Sequence, residues 1–218
     1  MKSILRILLA TLIVLPGASL RSESLDKLIP QCTEIVKKMN GDDMINQDLL
    51  KAAKGVVIMN VTSFSIGIGG SGGDGILLAR TKDGWSGPCE VTTSGGTIGI
   101  DFGGADNDYV ILLMTDAAIG KWANKEDFGS SSASAVCGPK GGAAVDATMK
   151  DKEFYVYIWN KGAKLGANFG GFSVDIPAGP NADFYEKPMV SAKDIVNNDV
   201  KVPDSKKDML TRLYGLLK

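Results

Sequence analysis

The chain has 218 residues, 44% apolar and 22% charged, which supports one folded domain with its own core and excludes an intrinsically disordered chain. It contains no histidine, so Ser-His-Asp and Cys-His catalysis are excluded and the commonest metal ligand is missing. The formal charge of −1 falls to about −3 once Lys2 and Arg6 of the leader are set aside, which speaks against a general nucleic-acid binder.

The chain opens with MKSILRILLATLIVLPGAS. Two basic residues, a short apolar run from Ile7 to Leu15 and then Pro16 and small residues read as a secretory signal peptide, residues 1–19, cut after Ser19. The apolar run is too short to span a bilayer. Residues 20–218 read as a single domain. Within it, Leu25, Leu28, Ile29, Cys32, Ile35, Val36 and Met39 recur at helical spacing, and Asn40-Gly41 offers a stop. Asp26, Lys27, Glu34, Lys37 and Lys38 occupy the other side. A second, shorter helix is expected over 48–54, closed by Gly55.

From Gly55 the pattern turns to β. Residues 55–61, 65–69, 75–81, 97–103 and 108–114 read as short strands, and the 27 glycines in the chain, about 12% against a usual ~7%, point to many tight turns. The stretch GIGGSGGDG, residues 67–75, contains G-x-G-x-x-G at Gly67, Gly69 and Gly72. A dinucleotide site requires a helix after those glycines. GILLART, which follows, reads as a strand, so the glycines read as a turn between antiparallel strands. Thr115 caps an expected helix through about Ala123. Further strands are expected at 142–149, 153–160 and 167–175. Ser191 and Asp194 resemble a capping box. Asp204 opens a last helix with the stripe Met209, Leu210, Leu213, Leu216, Leu217. The fold class is α+β: a single glycine-rich antiparallel sheet, barrel- or sandwich-like, flanked by N-terminal and C-terminal helices.

Chemistry-bearing motifs are weak. Cys32, Cys89 and Cys137 fit no metal spacing and read as buried apolar residues, with one disulfide as the alternative. Asp101, Asp106 and Asp108, beside Asn107, are close enough in sequence to work as acid and base or to hold a divalent cation, but Asp-Asn-Asp before a strand reads first as a turn. Ser24 and Lys27 form a bare S-x-x-K without the rest of a β-lactamase set. No cofactor, metal or catalytic residue is assigned.

From about Leu50 onward a series of pieces comes in the order of one family. LLKAAKGVVIM (49–59) is similar to its opening A-K-G segment, and the glycine stretch with GILLAR to its glycine-rich turn and following strand. DGWSGP (83–88) resembles G-x-W-S-x-P, GTIGIDFGG (96–104) resembles G-x-G-x-x-x-G, and DYVILLMTDAAIGKW (108–122) resembles the strand and helix that come next. AVCGPKGG (135–142) is similar to A-A-G-P-x-G-R, with Gly142 in place of the usual Arg and Lys140 nearby. NKGAKLGANFGGFSV (160–174) and DFYEKPMVSAKDIV (183–196) resemble the closing segments, with Glu186 where a Gly is usual. The chain thus resembles the SYLF domain family, lipid- and actin-binding proteins with secreted bacterial homologues.

That resemblance implies binding and not catalysis. It implies anionic phospholipid as the partner, met through a basic amphipathic helix region with Lys27, Lys37, Lys38, Lys51, Lys54 and Lys140 as the contacting residues. Actin filaments are the alternative partner it implies, if the leader is not a cleaved signal. No nucleic acid is expected as a partner.

Overall fold

The computed structural model describes residues 23–126, 134–137, 153–160 and 173–218. The leader, Lys140 and the strand expected over 142–149 lie outside the described residues.

Helix α1 spans Leu25–Gly41 and α2 spans Gln47–Ala52. All seven stripe residues of α1 are buried, so the apolar periodicity is satisfied by the domain's own core. Pro30 sits inside α1 on its exposed side, where the ring meets solvent. The Asn46 side chain caps α2, accepting from the backbone N–H of Asp48 and Leu49 at 3.0 Å each.

The short strands expected between residues 55 and 114 are two long ones. Strand β1 runs unbroken through Gly55–Thr81 and β3 through Cys89–Leu113, antiparallel from Gly55 opposite Leu113 to Leu77 opposite Cys89. The turn between them lies at 82–83, framed by the two-residue strand β2, Gly84–Trp85. Among the described residues the only glycine with positive φ is Gly84, at 126°. The glycines at 67, 69 and 72 are therefore not turn residues. They belong to the interior of β1. Asp106 and Asp108 likewise lie within β3, opposite Thr62 and Asn60, and not in a turn.

A straight strand of this length would extend about 90 Å, far beyond a domain's diameter, so the ribbon must bend. Its register shifts between Ile66 and Ile68, a bulge of the kind that bends a strand pair. Beyond the bend the ribbon folds back onto its own start. The N–H of Arg80 donates to the carbonyl of Lys54 at 2.7 Å. A Cβ at Gly73 would lie 2.8 Å from the Cα of Val61, and one at Gly75 would lie 2.7 Å from the Cα of Met59. Glycine is required at these two positions because backbone meets backbone there.

The sheet order is β2-β1-β3-β5-β4, where β4 is Ser134–Cys137 and β5 is Phe154–Asn160. Strand β6, Ser173–Asp175, pairs with β3 at Thr92–Ser94. All pairings are antiparallel except β4 with β5, which are parallel. The architecture is α+β, and the ribbon curls barrel-fashion while the sheet stays open.

Helix α3, Asp116–Ala123, is capped as expected by the Thr115 hydroxyl, which accepts from Ala118 N–H at 3.0 Å. Helix α4, Ala178–Tyr185, was not anticipated, since its first turn holds Gly179 and Pro180. Helix α5, Ala192–Val196, carries the full capping box between Ser191 and Asp194. A 3-10 turn at Asp204–Lys206 leads into α6, Lys207–Leu216.

These C-terminal elements lock the segment Trp85-Ser86-Gly87-Pro88. The Trp85 indole donates to the Leu217 carbonyl at 3.2 Å, the Tyr214 hydroxyl to the Ser86 carbonyl at 2.7 Å and the Tyr185 hydroxyl to the Pro88 carbonyl at 2.9 Å. The phenols of Tyr185 and Tyr214 are pushed well above the usual tyrosine range by burial.

Candidate anion-binding site

The lysines on α1 and α2 are exposed, but they do not form one basic face. Lys37 pairs with Glu34 at 3.6 Å, and Glu34 also receives Arg212 at 3.1 Å. Lys38 lies over the Trp159 ring at 3.9 Å and borders a groove of about 440 Å³ with Glu34, Asp106 and Asp108. In that groove the Asn60 amide donates to Asp106 at 2.6 Å and to Asp108 at 2.9 Å. Lys27 and Lys51 make no ion pair among the described residues. The apolar stripe on the other side of α1 from its lysines is in the core. The reason is energetic: seven apolar side chains buried against a packed sheet contribute roughly 1.5–3 kcal/mol each, which helix exposure would forfeit.

Lys54 turns to a different place. Together with Arg80, Lys82 and Lys193 it lines a cleft of about 800 Å³, which Asp83 and Asp116 also line. Four separate stretches of chain meet there. Lys54 sits after α2, Arg80 and Lys82 at the β1–β2 turn, Asp116 on α3 and Lys193 on α5. The long hairpin closes the site, because the backbone bond from Arg80 to Lys54 brings the end of β1 beside its beginning.

Arg80 is fixed at this junction. Its Nε donates to the Ala53 carbonyl at 2.9 Å and its Nη2 to the Leu50 carbonyl at 3.0 Å, so it caps the C-terminal end of α2. Its guanidinium stacks on Trp85 at 4.1 Å. Partial burial pulls its pKa below the ordinary arginine value, although an arginine stays protonated throughout the usual pH range. Two of its five donors are engaged, and it makes no ion pair among the described residues.

Cys32 and Cys89 are buried free thiols; burial raises both, Cys89 to about 12. The described residues hold no group of three or more His, Cys, Asp or Glu side chains able to bind a metal ion. Ser24 is the N-cap position of α1, where its carbonyl accepts from Lys27 N–H at 2.9 Å.

Sequence reasoning singled out Lys54 but missed Arg80, Lys82 and Lys193. Arg80 lies in the quoted piece GILLART and Lys82 directly after it, two cations beside a hairpin turn that were a usable signal. Lys193 had none, since only the tertiary fold brings α5 to the cleft.

A family model described as Ysc84, Las17-binding protein actin regulator, matches residues 94–217, more than half of the chain. The chain belongs to the SYLF (Ysc84) family. It is 27% identical over 200 residues to LAS seventeen-binding protein 3 of Saccharomyces cerevisiae, covering 85% of this chain and 42% of that protein. It is 29% identical over 178 residues to Protein YSC84 of the same organism, covering 78% and 37%. It is 28% identical over 188 residues to SH3 domain-containing YSC84-like protein 1 of Mus musculus, covering 84% and 55%. The chain thus spans about half the length, or less, of these curated relatives.

Membership gives the departure at Glu186 a physical meaning. Glu186 ends α4 at φ 53° and ψ 38°, a left-handed cap. That is the conformation glycine adopts without cost and the usual chemistry of a helix C-terminus. In this SYLF domain a glutamate occupies it.

Proposed function

We propose that this SYLF protein is a non-catalytic binding module, exported behind residues 1–19, that attaches to anionic phospholipid surfaces by charge and not by inserting α1. One observation carries the reading. Lys27, Lys37, Lys38 and Lys51 are all exposed, whereas the apolar stripe of the same region is buried. A lysine near an anionic surface contributes on the order of 1 kcal/mol. Acidic neighbours, Glu34 above all, reduce the total, so attachment is weak and reversible.

The test is sedimentation of the mature protein with phosphatidylglycerol and phosphatidylcholine vesicles. Binding should require the anionic lipid and fade as salt shortens the Debye length to about 8 Å. Replacing Lys27, Lys37, Lys38 and Lys51 by Gln should remove most of it. Binding that is indifferent to salt and to these lysines would overturn the reading. Export is tested separately: the natural protein should begin near Leu20, not at Met1.

A second reading is supported by the family's description as an actin regulator and by relatives named for binding Las17. Here the same lysines would meet a protein filament. Co-sedimentation with actin filaments tests it, and an intact Met1 on a cytosolic protein would favour it over the lipid reading.

A further inference from the structure

The cleft beyond α2 has a charged rim and an apolar floor. Lys54, Lys82 and Lys193 line it, as do Asp83 and Asp116, and all five are exposed. None of them makes an ion pair among the described residues. Ala79, Ile119 and Val196 line the same cleft but are buried, so they form its bottom and the charges its rim. The Arg80 guanidinium is committed to the Leu50 and Ala53 carbonyls and to Trp85 and takes no part.

This mixture selects against ligands of a single charge. A bare anion is drawn by three ammonium groups but repelled by two carboxylates, and a polyamine meets the reverse. Three lysines against two aspartates leave the rim only one net positive charge. A ligand that carries one charge of each sign satisfies both sets, and the attraction is stronger in a concavity than in bulk water. The floor adds a second requirement, an apolar body between the charges. The side-chain amides of Asn124, Asn197 and Asn198 on the same wall supply donors and acceptors that match a peptide group.

Length narrows the choice further. One wall runs along α3 from Asp116, its first residue, to Asn124, its C-cap. Those eight steps span about 12 Å at ~1.5 Å per residue. An extended chain advances about 3.3–3.6 Å per residue, so a single amino acid is too short and roughly three or four residues fit. The volume of about 800 Å³ is that of a small-molecule site. We propose that this cleft binds a short apolar peptide with both termini free. Asp83 and Asp116 hold its α-ammonium, Lys54, Lys82 and Lys193 hold its α-carboxylate, and its side chains rest on Ala79, Ile119 and Val196.

The experiment is calorimetric titration of the protein with trileucine, N-acetyl-trileucine, trileucine amide, triglycine and inorganic phosphate. Trileucine should bind saturably. Acetylation, amidation and the loss of side chains in triglycine should each weaken binding about tenfold or more, a difference of ~1.4 kcal/mol per step. Asp83→Asn/Asp116→Asn should bind trileucine no better than the parent binds the acetylated peptide. Lys82→Gln/Lys193→Gln should likewise fall to the level of the amide. Circular dichroism and thermal unfolding establish that both variants are folded. The capped peptides probe the same charges without altering the protein, so they decide the matter even where a variant unfolds. The variant with Lys27, Lys37, Lys38 and Lys51 replaced by Gln should titrate as the parent does, whatever it does with vesicles. No saturable uptake of trileucine, caps that make no difference, or equal uptake by the folded variants overturns the proposal. Inorganic phosphate binding more tightly than trileucine also overturns it, since the rim would then be an anion site alone.

Discussion

The two ends of the β1–β3 ribbon and its middle are built from the same pair of strands, yet they behave as different materials. At the ends, residues 56–59, 76–78 and 110–113 are fully buried and apolar. In the middle, Phe64 is 57% exposed and Gly70 and Ser94 are open to solvent. Glycine is present in both regions, for opposite reasons. At Gly73 and Gly75 it removes a side chain so that two backbone segments touch. At Gly70 a Cβ would meet nothing nearer than the Gly95 carbonyl at 3.8 Å. There, no packing need calls for glycine. The same residue type in one strand thus marks closure at one point and open surface at another.

The sharpest way to break this comparison is to add a side chain on each side of it. Gly75→Val should cost about 3 kcal/mol or more, because the new carbons have no space and the crossing backbones must part. Gly70→Val should change stability by less than about 1 kcal/mol, the scale of β-propensity effects. Urea unfolding midpoints of the two variants measure the difference. Equal midpoints would show that the ribbon does not close on itself at Gly75.

A smaller effect is expected where the C-terminal helices hold the closed end. Tyr185→Phe removes the hydroxyl that donates to the Pro88 carbonyl at 2.9 Å and leaves the ring in place. The loss should be on the order of 1–2 kcal/mol, since a buried carbonyl is left without its donor. Thermal unfolding of the variant against the parent reads it directly. A neutral result would mean that the segment from Trp85 to Pro88 is held by packing alone.

A change in the opposite direction is expected one residue later. Glu186 holds a left-handed backbone at φ 53°, which costs a side-chain-bearing residue roughly 1 kcal/mol or more. Glu186→Gly should raise stability by on the order of 0.5–1 kcal/mol after the flexibility of glycine in the unfolded chain is counted. A lower melting temperature would show that the glutamate side chain makes a compensating contact.

These contrasts also explain what was legible in the sequence. Helical spacing located α1, and Thr115 and Ser191 located the starts of α3 and α5, because caps and amphipathic stripes are local signals. The ribbon was cut into pieces, since glycine-rich stretches read as turns when φ is unknown. In the fold only Gly84 carries positive φ among the described glycines, so the other breaks were not real. Helix α4 was hidden by Gly179 and Pro180, which punctuate a sequence but are tolerated in a helix's first turn. The family was legible from the order of many weak pieces. The cleft was not, because Lys54, Arg80 and Lys193 meet only when the ribbon folds back and α5 docks.

The subtlest test lies at the boundary between ribbon end and ribbon middle. Asp74 stands between the two tight glycines, opposite Thr92. Partial burial there, with a smaller contribution from Glu23, raises its carboxyl above the usual aspartate range. A carboxylate whose folded pKa is raised opposes folding when ionised, so its cost is present at neutral pH. That cost is relieved as pH falls through the folded pKa and the group takes up its proton. Asp74→Asn, which is neutral at every pH, should therefore be slightly more stable than the parent at neutral pH. The advantage should shrink toward about pH 4, where the parent protonates as well. Because the side chain is still partly in water, the effect is smaller than any above. Melting temperatures of both proteins across this range decide the matter. An advantage that is constant with pH would place its origin in packing beside Gly73 and Gly75, and an advantage that grows on acidification would mean the carboxylate is stabilised, not strained, where end meets middle.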